Sequence, residues 1–130
     1  MTSSKTELNK ELMRALRQYG ADYGFVITNK SIEKLIETEV FDEIPSNGCD
    51  SKLLAEALIK SGKVLEQSDD EKSYIAVVKA GVANMNHAFL ALKLDKESIS
   101  VVAVAKEGII KQRTSKRAIE KVMQNLREEQ

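Results

Sequence analysis

The first twenty residues place apolar side chains at helical spacing, which predicts an amphipathic helix. Ser4 and Glu7 have the spacing of a capping box, in which a hydroxyl and a carboxylate satisfy free backbone amides. Gly20 can end this helix because glycine adopts a positive φ angle without steric cost. The next apolar segment, residues 25–28, fits either a strand or a buried connection. The apolar stripe of the predicted helix consists of Leu8, Leu12, Met13, Leu16 and Tyr19.

Two further helices are predicted in the first half of the chain. The second begins near Ser31, and the third is capped by Asp50 or Ser51 and ends at Gly62. Between them, residues 41–50 contain the only proline and the turn formers Ser-Asn-Gly, so we expect a loop there. The apolar face of the second helix comprises Ile32, Leu35, Ile36 and Val40.

Beyond the third helix the apolar period changes from 3.6 to 2, which predicts strands. Short strands are expected over residues 64–67 and 74–79, joined by a charged turn at 68–72. Five consecutive apolar residues over 74–78 indicate burial on both faces of the sheet. Alternating and β-branched residues over 88–105, interrupted by a polar turn, predict a β-hairpin.

A last helix is predicted from Thr114 or Ser115, with an apolar stripe that can cover one face of the sheet. Three helices, about four antiparallel strands over residues 63–106 and a C-terminal helix over 114–128 indicate an α+β fold. The stripe of the last helix is formed by Ile119, Val122, Met123 and Leu126.

Length and composition favour one soluble domain. The chain has 130 residues, of which 42% are hydrophobic and 31% charged, unlike disordered or membrane proteins. The longest stretch without a charge, residues 80–92, is too short to cross a bilayer, and we see no secretory signal. We therefore expect a cytoplasmic protein with a single domain over residues 1–130. An internal boundary near 45–49 would divide a helical part, 1–48, from an α-β-β-β-β-α part, 49–130.

Charge is balanced overall but not locally. Twenty basic and twenty acidic residues give no electrostatic reason to expect nucleic acid or a membrane as a partner. Residues 33–50 are acidic and residues 106–121 are basic. The basic segment could contact phosphates, although it lacks aromatic residues for base stacking. Alternatively, the two segments complement each other within one molecule or between two. The candidate basic patch is Lys111, Arg113, Lys116, Arg117 and Lys121.

Catalytic and metal-binding patterns are weak. Cys49 is the only cysteine, so no intramolecular disulfide can form, and His87 is the only histidine. A helix start near Cys49 would lower the pKa of its thiol, whereas the charge of Asp50 would raise it. Nothing in the sequence brings Cys49 and His87 together. The six glycines are scattered singly, without a phosphate-binding loop. We therefore predict no enzyme activity, no metal site and no cofactor.

Residues 82–88 form an unusual polar stretch between two apolar strands. Asn84, Asn86 and His87 could line the rim of a ligand pocket, or the stretch could be a polar crossover with no ligand. Such a pocket would lie between the sheet and the C-terminal helix. The small strand residues that could leave space for it are Ala76, Ala91, Ala103 and Ala105.

These observations favour a non-enzymatic interaction module that associates with itself or with another protein. The apolar faces of four helices and four strands exceed what one small core needs. The first alternative is a domain that binds a small apolar molecule or a lipid. The second alternative is binding of a phospholigand or nucleic acid through the basic segment, Lys106 to Lys121.

Overall fold

The computed structural model describes residues 2–25, 28–80, 86–105 and 113–129. Four α-helices, one 3₁₀ helix and five strands lie within these ranges. The helices are α1 (Thr2–Tyr19), a 3₁₀ helix (Gly20–Tyr23), α2 (Asn29–Ile36), α3 (Ser51–Ser61) and α4 (Thr114–Glu129). The strands are β1 (Val40–Pro45), β2 (Gly62–Gln67), β3 (Ser73–Ala80), β4 (Asn86–Leu94) and β5 (Ser98–Ala105).

The five strands form one antiparallel sheet in the order β1-β5-β4-β3-β2. Helices before the sheet and one after it confirm the α+β prediction. The predicted hairpin is also confirmed, because β4 and β5 pair along their length, with Leu90 opposite Ala103. The four strands predicted over 63–106 are β2 to β5.

Strand β1 corrects the prediction that residues 41–50 form a loop. It pairs with β5 and places Ile44 opposite Ile99. Asp42 and Glu43 are exposed on this strand, which lies at the edge of the sheet, and Pro45 is its last residue. Edge strands tolerate charged residues and proline because one side of their backbone needs no partner strand. The turn-forming residues of this segment therefore indicated a loop where a strand lies.

Helices cover both faces of the sheet rather than one. Helix α4 covers the first face, as predicted, and α3 packs beside it. Helix α1 covers the opposite face, where Leu12 and Leu16 pack with Phe89 of β4. The run from Tyr74 to Val78 is buried throughout, because its alternate side chains enter the two cores.

The proposed boundary near residues 45–49 falls within a shared structure. Strand β1 precedes it and pairs with β5, which follows it. Helix α1 also precedes it and packs on β4 and β5. Both parts of the chain therefore contribute to the same sheet and to the core beneath α1.

The helix ends follow local capping rules, with two corrections. Asp50 caps α3, as predicted, by accepting a hydrogen bond from the Leu53 amide at 2.9 Å, and Gly62 follows the last helical residue. The capping box predicted at Ser4 is wrong, because α1 already begins at Thr2. Gly20 was predicted to cap the end of α1 with a positive φ angle, but it begins the 3₁₀ helix that follows Tyr19. The left-handed residue is Gly24, with a φ of 82°.

A capping box is found instead at the start of α2. The Thr28 hydroxyl accepts from the Ser31 amide at 3.1 Å, and the Ser31 hydroxyl accepts from the Thr28 amide at 2.8 Å. This pair fixes the first turn of α2, which has only eight residues.

Candidate docking groove

A groove of about 630 Å³ lies between α1 and α2. We call it the α1–α2 groove. Met13 of α1 and Ile32 and Ile36 of α2 supply its apolar surface. The other residues that line it are Thr6, Asn9, Lys10, Arg17 and Glu39.

The groove exists because α2 buries only one edge of its apolar stripe. Leu35 enters the core beneath α1 and is 6% exposed, whereas Ile36 is 52% exposed. Successive residues of a helix differ by about 100° in direction, and the orientation of α2 turns Leu35 to the core and Ile36 to the groove. Ile36 and Ile59 of α3 are the large apolar side chains exposed in the described part of the chain. Of these two, Ile36 lies in a groove with other apolar residues.

Charges of both signs line the groove. Lys10 and Arg17 are exposed on α1, two helical turns apart. Glu39, which follows α2, is the acidic residue among those that line the groove. Among the described residues, Lys10 and Arg17 form no ion pair and no hydrogen bond. The two cations of the groove are therefore not neutralised within the described part of the chain.

Two polar residues of α1, Lys5 and Asn9, add to the surroundings of the groove. Lys5 of α1 lies 3.8 Å from the Glu39 carboxylate, which follows α2, and its Nζ lies 5.9 Å from the centre of the Phe41 ring. Asn9 contributes a buried Oδ1 that accepts no hydrogen bond within the described residues. An apolar groove with a free acceptor in its wall can take both an apolar and a hydrogen-bonding group.

A charged cluster of Arg14, Tyr19 and Glu66 holds α1 against the edge strand β2. Arg14 makes two hydrogen bonds to the Glu66 carboxylate, at 2.6 and 3.1 Å, and the Tyr19 hydroxyl donates to it at 2.6 Å. The hydrogen bonds from Arg14 lower the pKa of Glu66 most, burial opposes them, and Tyr19 adds to the lowering. This cluster is structural, since its groups satisfy one another.

The predicted ligand residues Asn86 and His87 do not face the same side of the sheet. Asn86 donates from Nδ2 to the Thr114 hydroxyl of α4 at 3.2 Å. The His87 ring lies 5.5 Å from the Tyr23 ring, on the side covered by α1. Neighbouring strand residues point to opposite faces, which separates these two side chains. Asn84 lies outside the described residues, so the three-residue rim stays a prediction.

His87 belongs to a cluster of rings at the end of the 3₁₀ helix. Tyr23 contacts both His87 and Phe89 edge to face, and Phe25 contacts Phe89 with ring centres 5.0 Å apart. Burial lowers the pKa of His87, and the charge of Lys79 on the paired strand lowers it further. Both effects favour the neutral imidazole, whose ring packs against Tyr23.

The small strand residues do not all border the predicted pocket beside α4. Ala76, Ala103 and Ala105 are fully buried in the core with α3 and α4, whereas Ala91 faces α1 on the other side. Small residues let a helix approach a sheet closely, and this packing fits that role. A ligand pocket between the sheet and α4 remains a prediction.

The basic patch is only partly within the described structure. Arg113, Lys116 and Arg117 are exposed, and Lys121 donates from Nζ to the Lys79 carbonyl at 2.9 Å. Lys111 lies outside the described residues. A second groove of about 330 Å³ brings Arg113 and Lys116 near acidic residues and near a buried Ser115 hydroxyl that has no hydrogen-bond partner among the described residues. Its acidic residues are Glu37 and Glu39.

The mixed charges of this second groove do not favour a polyanion, since its carboxylates would repel phosphates. They place part of the acidic segment beside part of the basic segment within one molecule. Binding of a phospholigand or nucleic acid stays a prediction.

The two nucleophile candidates are far apart in the fold. Cys49 packs against the core under α3 and α4, and His87 lies on the opposite side of the sheet. Burial raises the pKa of the Cys49 thiol, and the charge of Asp50 adds to this effect. A Cys–His pair is therefore not formed. Among the described residues, no cluster of three or more His, Cys, Asp or Glu side chains could hold a metal ion.

The groove residues escaped sequence reasoning for identifiable reasons. Met13 was assigned to the same stripe as Leu12, although the two side chains point about 100° apart. Leu12 is fully buried, whereas Met13 is half-buried and lines the groove. The apolar stripe of α1 is wider than the side of the helix that faces the core. This extra width was the feature of the sequence that indicated a second contact surface on α1.

No helix in the described ranges is long and apolar enough to cross a lipid bilayer. Comparison with family models, with curated proteins and with solved structures finds no match for this chain.

Proposed function

We propose that this protein is a non-enzymatic interaction module that associates with a second copy of itself through the α1–α2 groove. The observation that carries the proposal is the half-exposed Ile36, which sits beside Ile32 and Met13 in a groove of about 630 Å³. Association would remove this apolar surface from water, which is the main favourable contribution to most protein interfaces.

The second copy is favoured as the occupant because of the charges along the groove. Lys10 and Arg17 of α1 and Glu39, which follows α2, give the groove both signs of charge, which a surface needs to complement itself. A partner of strongly acidic or strongly basic composition would meet charges of its own sign there.

The test compares two exposed isoleucines by sedimentation equilibrium. Ile36→Asp is expected to raise the dissociation constant of the dimer by about a hundredfold or more, because each dimer loses two buried isoleucines worth roughly 1.5–3 kcal/mol each. Ile59→Asp is the matched control, because Ile59 is 64% exposed on α3, outside the groove. It should leave the dissociation constant unchanged.

Two results would contradict the proposal. One is an Ile36→Asp variant that associates as strongly as the unmodified protein. The other is an Ile59→Asp variant that dissociates to the same extent, which would place the interface on α3.

The phospholigand alternative keeps one supporting observation, the unpartnered Ser115 hydroxyl beside Arg113 and Lys116. Titration with inorganic phosphate and with a short oligonucleotide, followed by the melting temperature, tests it. A rise in the melting temperature that Arg113→Gln abolishes would favour this function. An unchanged melting temperature would remove it.

A further inference from the structure

We infer that the second groove, between the residues that follow α2 and the start of α4, binds a small zwitterion with one carboxylate and one ammonium group. Its volume of about 330 Å³ is at the lower end of the range for small-molecule pockets. The inference is independent of the proposed self-association. The residues that carry it, Glu37, Arg113, Ser115 and Lys116, do not line the α1–α2 groove.

Opposite charges line the second groove without pairing with each other. Glu37 follows α2, Arg113 precedes α4 and Lys116 lies in its first turn, and all three are exposed. None of these side chains forms an ion pair or a hydrogen bond among the described residues. The other carboxylate of the groove, Glu39, already lies 3.8 Å from Lys5. Glu37 is therefore available to an ammonium group, and the two cations are available to a carboxylate.

The first turn of α4 forms the end of the groove that suits a carboxylate. Ser115 lines the groove and is 2% exposed, and its hydroxyl has no hydrogen-bond partner among the described residues. A buried hydroxyl without a partner costs free energy, which a carboxylate oxygen that accepts from it would recover. The positive end of the helix dipole adds to the attraction, since the first turn contains no acidic residue.

Hydrogen bonds hold both walls of the second groove in place. The Thr38 hydroxyl donates to the Leu35 carbonyl at 2.7 Å and accepts from the Ala105 amide at 3.0 Å, which ties the wall after α2 to the end of β5. On the other wall, Asn86 of β4 donates to the Thr114 hydroxyl at 3.2 Å. Both walls are thus attached to neighbouring strands, which reduces the cost of ordering the site when a ligand binds.

A ligand with both charges suits this groove better than a simple anion does. The carboxylate of Glu37 repels phosphate or a simple carboxylate that approaches Arg113 and Lys116. An ammonium group on the same molecule turns this repulsion into attraction. The charges therefore favour a free amino acid or a related zwitterion.

The experiment uses the full chain and four-carbon probes that differ in their charged groups. The two zwitterions are α-aminobutyrate and γ-aminobutyrate, and the controls are butyrate, which is only an anion, and butylammonium, which is only a cation. Each probe is titrated into isotope-labelled protein, and the amide resonances of Thr38, Ser115 and Lys116 are followed by NMR. At least one zwitterion is expected to bind about tenfold more tightly than either control.

Variants at the two ends of the groove test the assigned contacts. Ser115→Ala should weaken zwitterion binding about tenfold, because a hydrogen bond to a charged group is lost. Without a probe it should raise the melting temperature, since a buried hydroxyl without a partner is removed. Glu37→Gln should weaken zwitterion binding about threefold and strengthen butyrate binding, because it removes both an attraction and a repulsion. A purely structural role of Glu37 would not move the two affinities in opposite directions.

The matched control is Glu33→Gln, which makes the same change of net charge on the same helix face. Glu33 is exposed on α2 and lines neither groove. This variant should bind all four probes like the unmodified protein. Circular dichroism of each variant verifies that it folds.

Three results would overturn the inference. The first is that neither zwitterion shifts the resonances of the second groove. The second is that butyrate or inorganic phosphate binds as tightly as both zwitterions, which would favour the phospholigand alternative. The third is zwitterion binding that Ser115→Ala and Glu37→Gln leave unchanged, which would place the site elsewhere on the protein.

Discussion

His87 shows how position decides the chemistry of the only histidine in the chain. Its ring contacts Tyr23 edge to face, and the residue pairs across the sheet with Lys79. Burial and the neighbouring ammonium group both favour the neutral imidazole, which lowers its pKa. The histidine that the sequence offered as a ligand-binding group is thereby packed in a cluster of aromatic rings.

The pH dependence of stability tests this interpretation. The unfolded chain protonates its histidine near pH 6.5, whereas the folded chain resists protonation until a lower pH. The free energy of unfolding should therefore be constant above about pH 7 and should decrease as the pH falls through the unfolded pKa. Urea denaturation at pH 7.5 and 5.5 measures the difference.

Two variants identify the source of this decrease. His87→Gln should remove it, because the titrating group is gone. Lys79→Met should retain most of it, since burial is the larger cause of the lowered pKa. A decrease that persists in His87→Gln would show that another group titrates in this range.

At the scale of the elements, the attachment of α1 to the sheet combines apolar packing with one charged cluster. Leu12 and Leu16 bury the apolar side of α1, and Arg14 binds Glu66 of the edge strand β2 through two hydrogen bonds. Both charged side chains are about one-third or more exposed, so water screens much of their attraction. The cluster orients α1, and the apolar residues supply most of the stability.

Glu66→Gln is expected to lower the free energy of unfolding by about 0.5–1 kcal/mol, because it removes the charge that Arg14 and Tyr19 bind. Glu11→Gln is the control, since Glu11 also binds Arg14 but is 60% exposed. Its effect should be smaller. Chemical denaturation of both variants measures this difference, and equal effects would contradict the assignment.

The lowered pKa of Glu66 has a consequence of the same sign as that of His87, but in a more acidic range. Its contribution to stability is complete above the unfolded pKa of about 4.3 and is lost as the pH falls through the lower folded pKa. The two effects therefore fall in different pH ranges and can be measured separately.

The elements differ in how well the sequence predicts them. The β4–β5 hairpin was predictable because its alternation is strict and both of its strands are central. Strand β1 was missed because an edge strand carries Asp42, Glu43 and Pro45, which resemble a loop. Val40 was assigned to α2, since an apolar residue four positions after Ile36 fits helical spacing equally well. The local pattern of apolar residues does not distinguish a helix from a strand where pairing with a distant strand decides the structure.

The candidate site was less predictable than the fold. The pattern grouped Ile32, Leu35, Ile36 and Val40 on one helical face, but Leu35 enters the core, Ile36 is exposed and Val40 belongs to β1. Which of these residues is buried depends on how α2 packs beside α1, and this packing joins residues that are distant in sequence.

At the scale of the whole molecule, both faces of the sheet are covered and the apolar surface that remains lies between helices. Helices α3 and α4 close one face, and α1 and Leu35 of α2 close the other. The exposed remainder of α2 forms the α1–α2 groove with α1. The groove is therefore the surface that we propose for association.

The most direct measurement is the concentration dependence of the backbone amide resonances of the unmodified protein by NMR. The account predicts shifts confined to α1 and α2, around Met13, Ile32 and Ile36, as the protein is diluted from dimer to monomer. Resonances around Ile59 in α3 should not move. The absence of any concentration-dependent shift, or shifts centred on α3 and β2, would contradict the central claim that two copies meet at the α1–α2 groove.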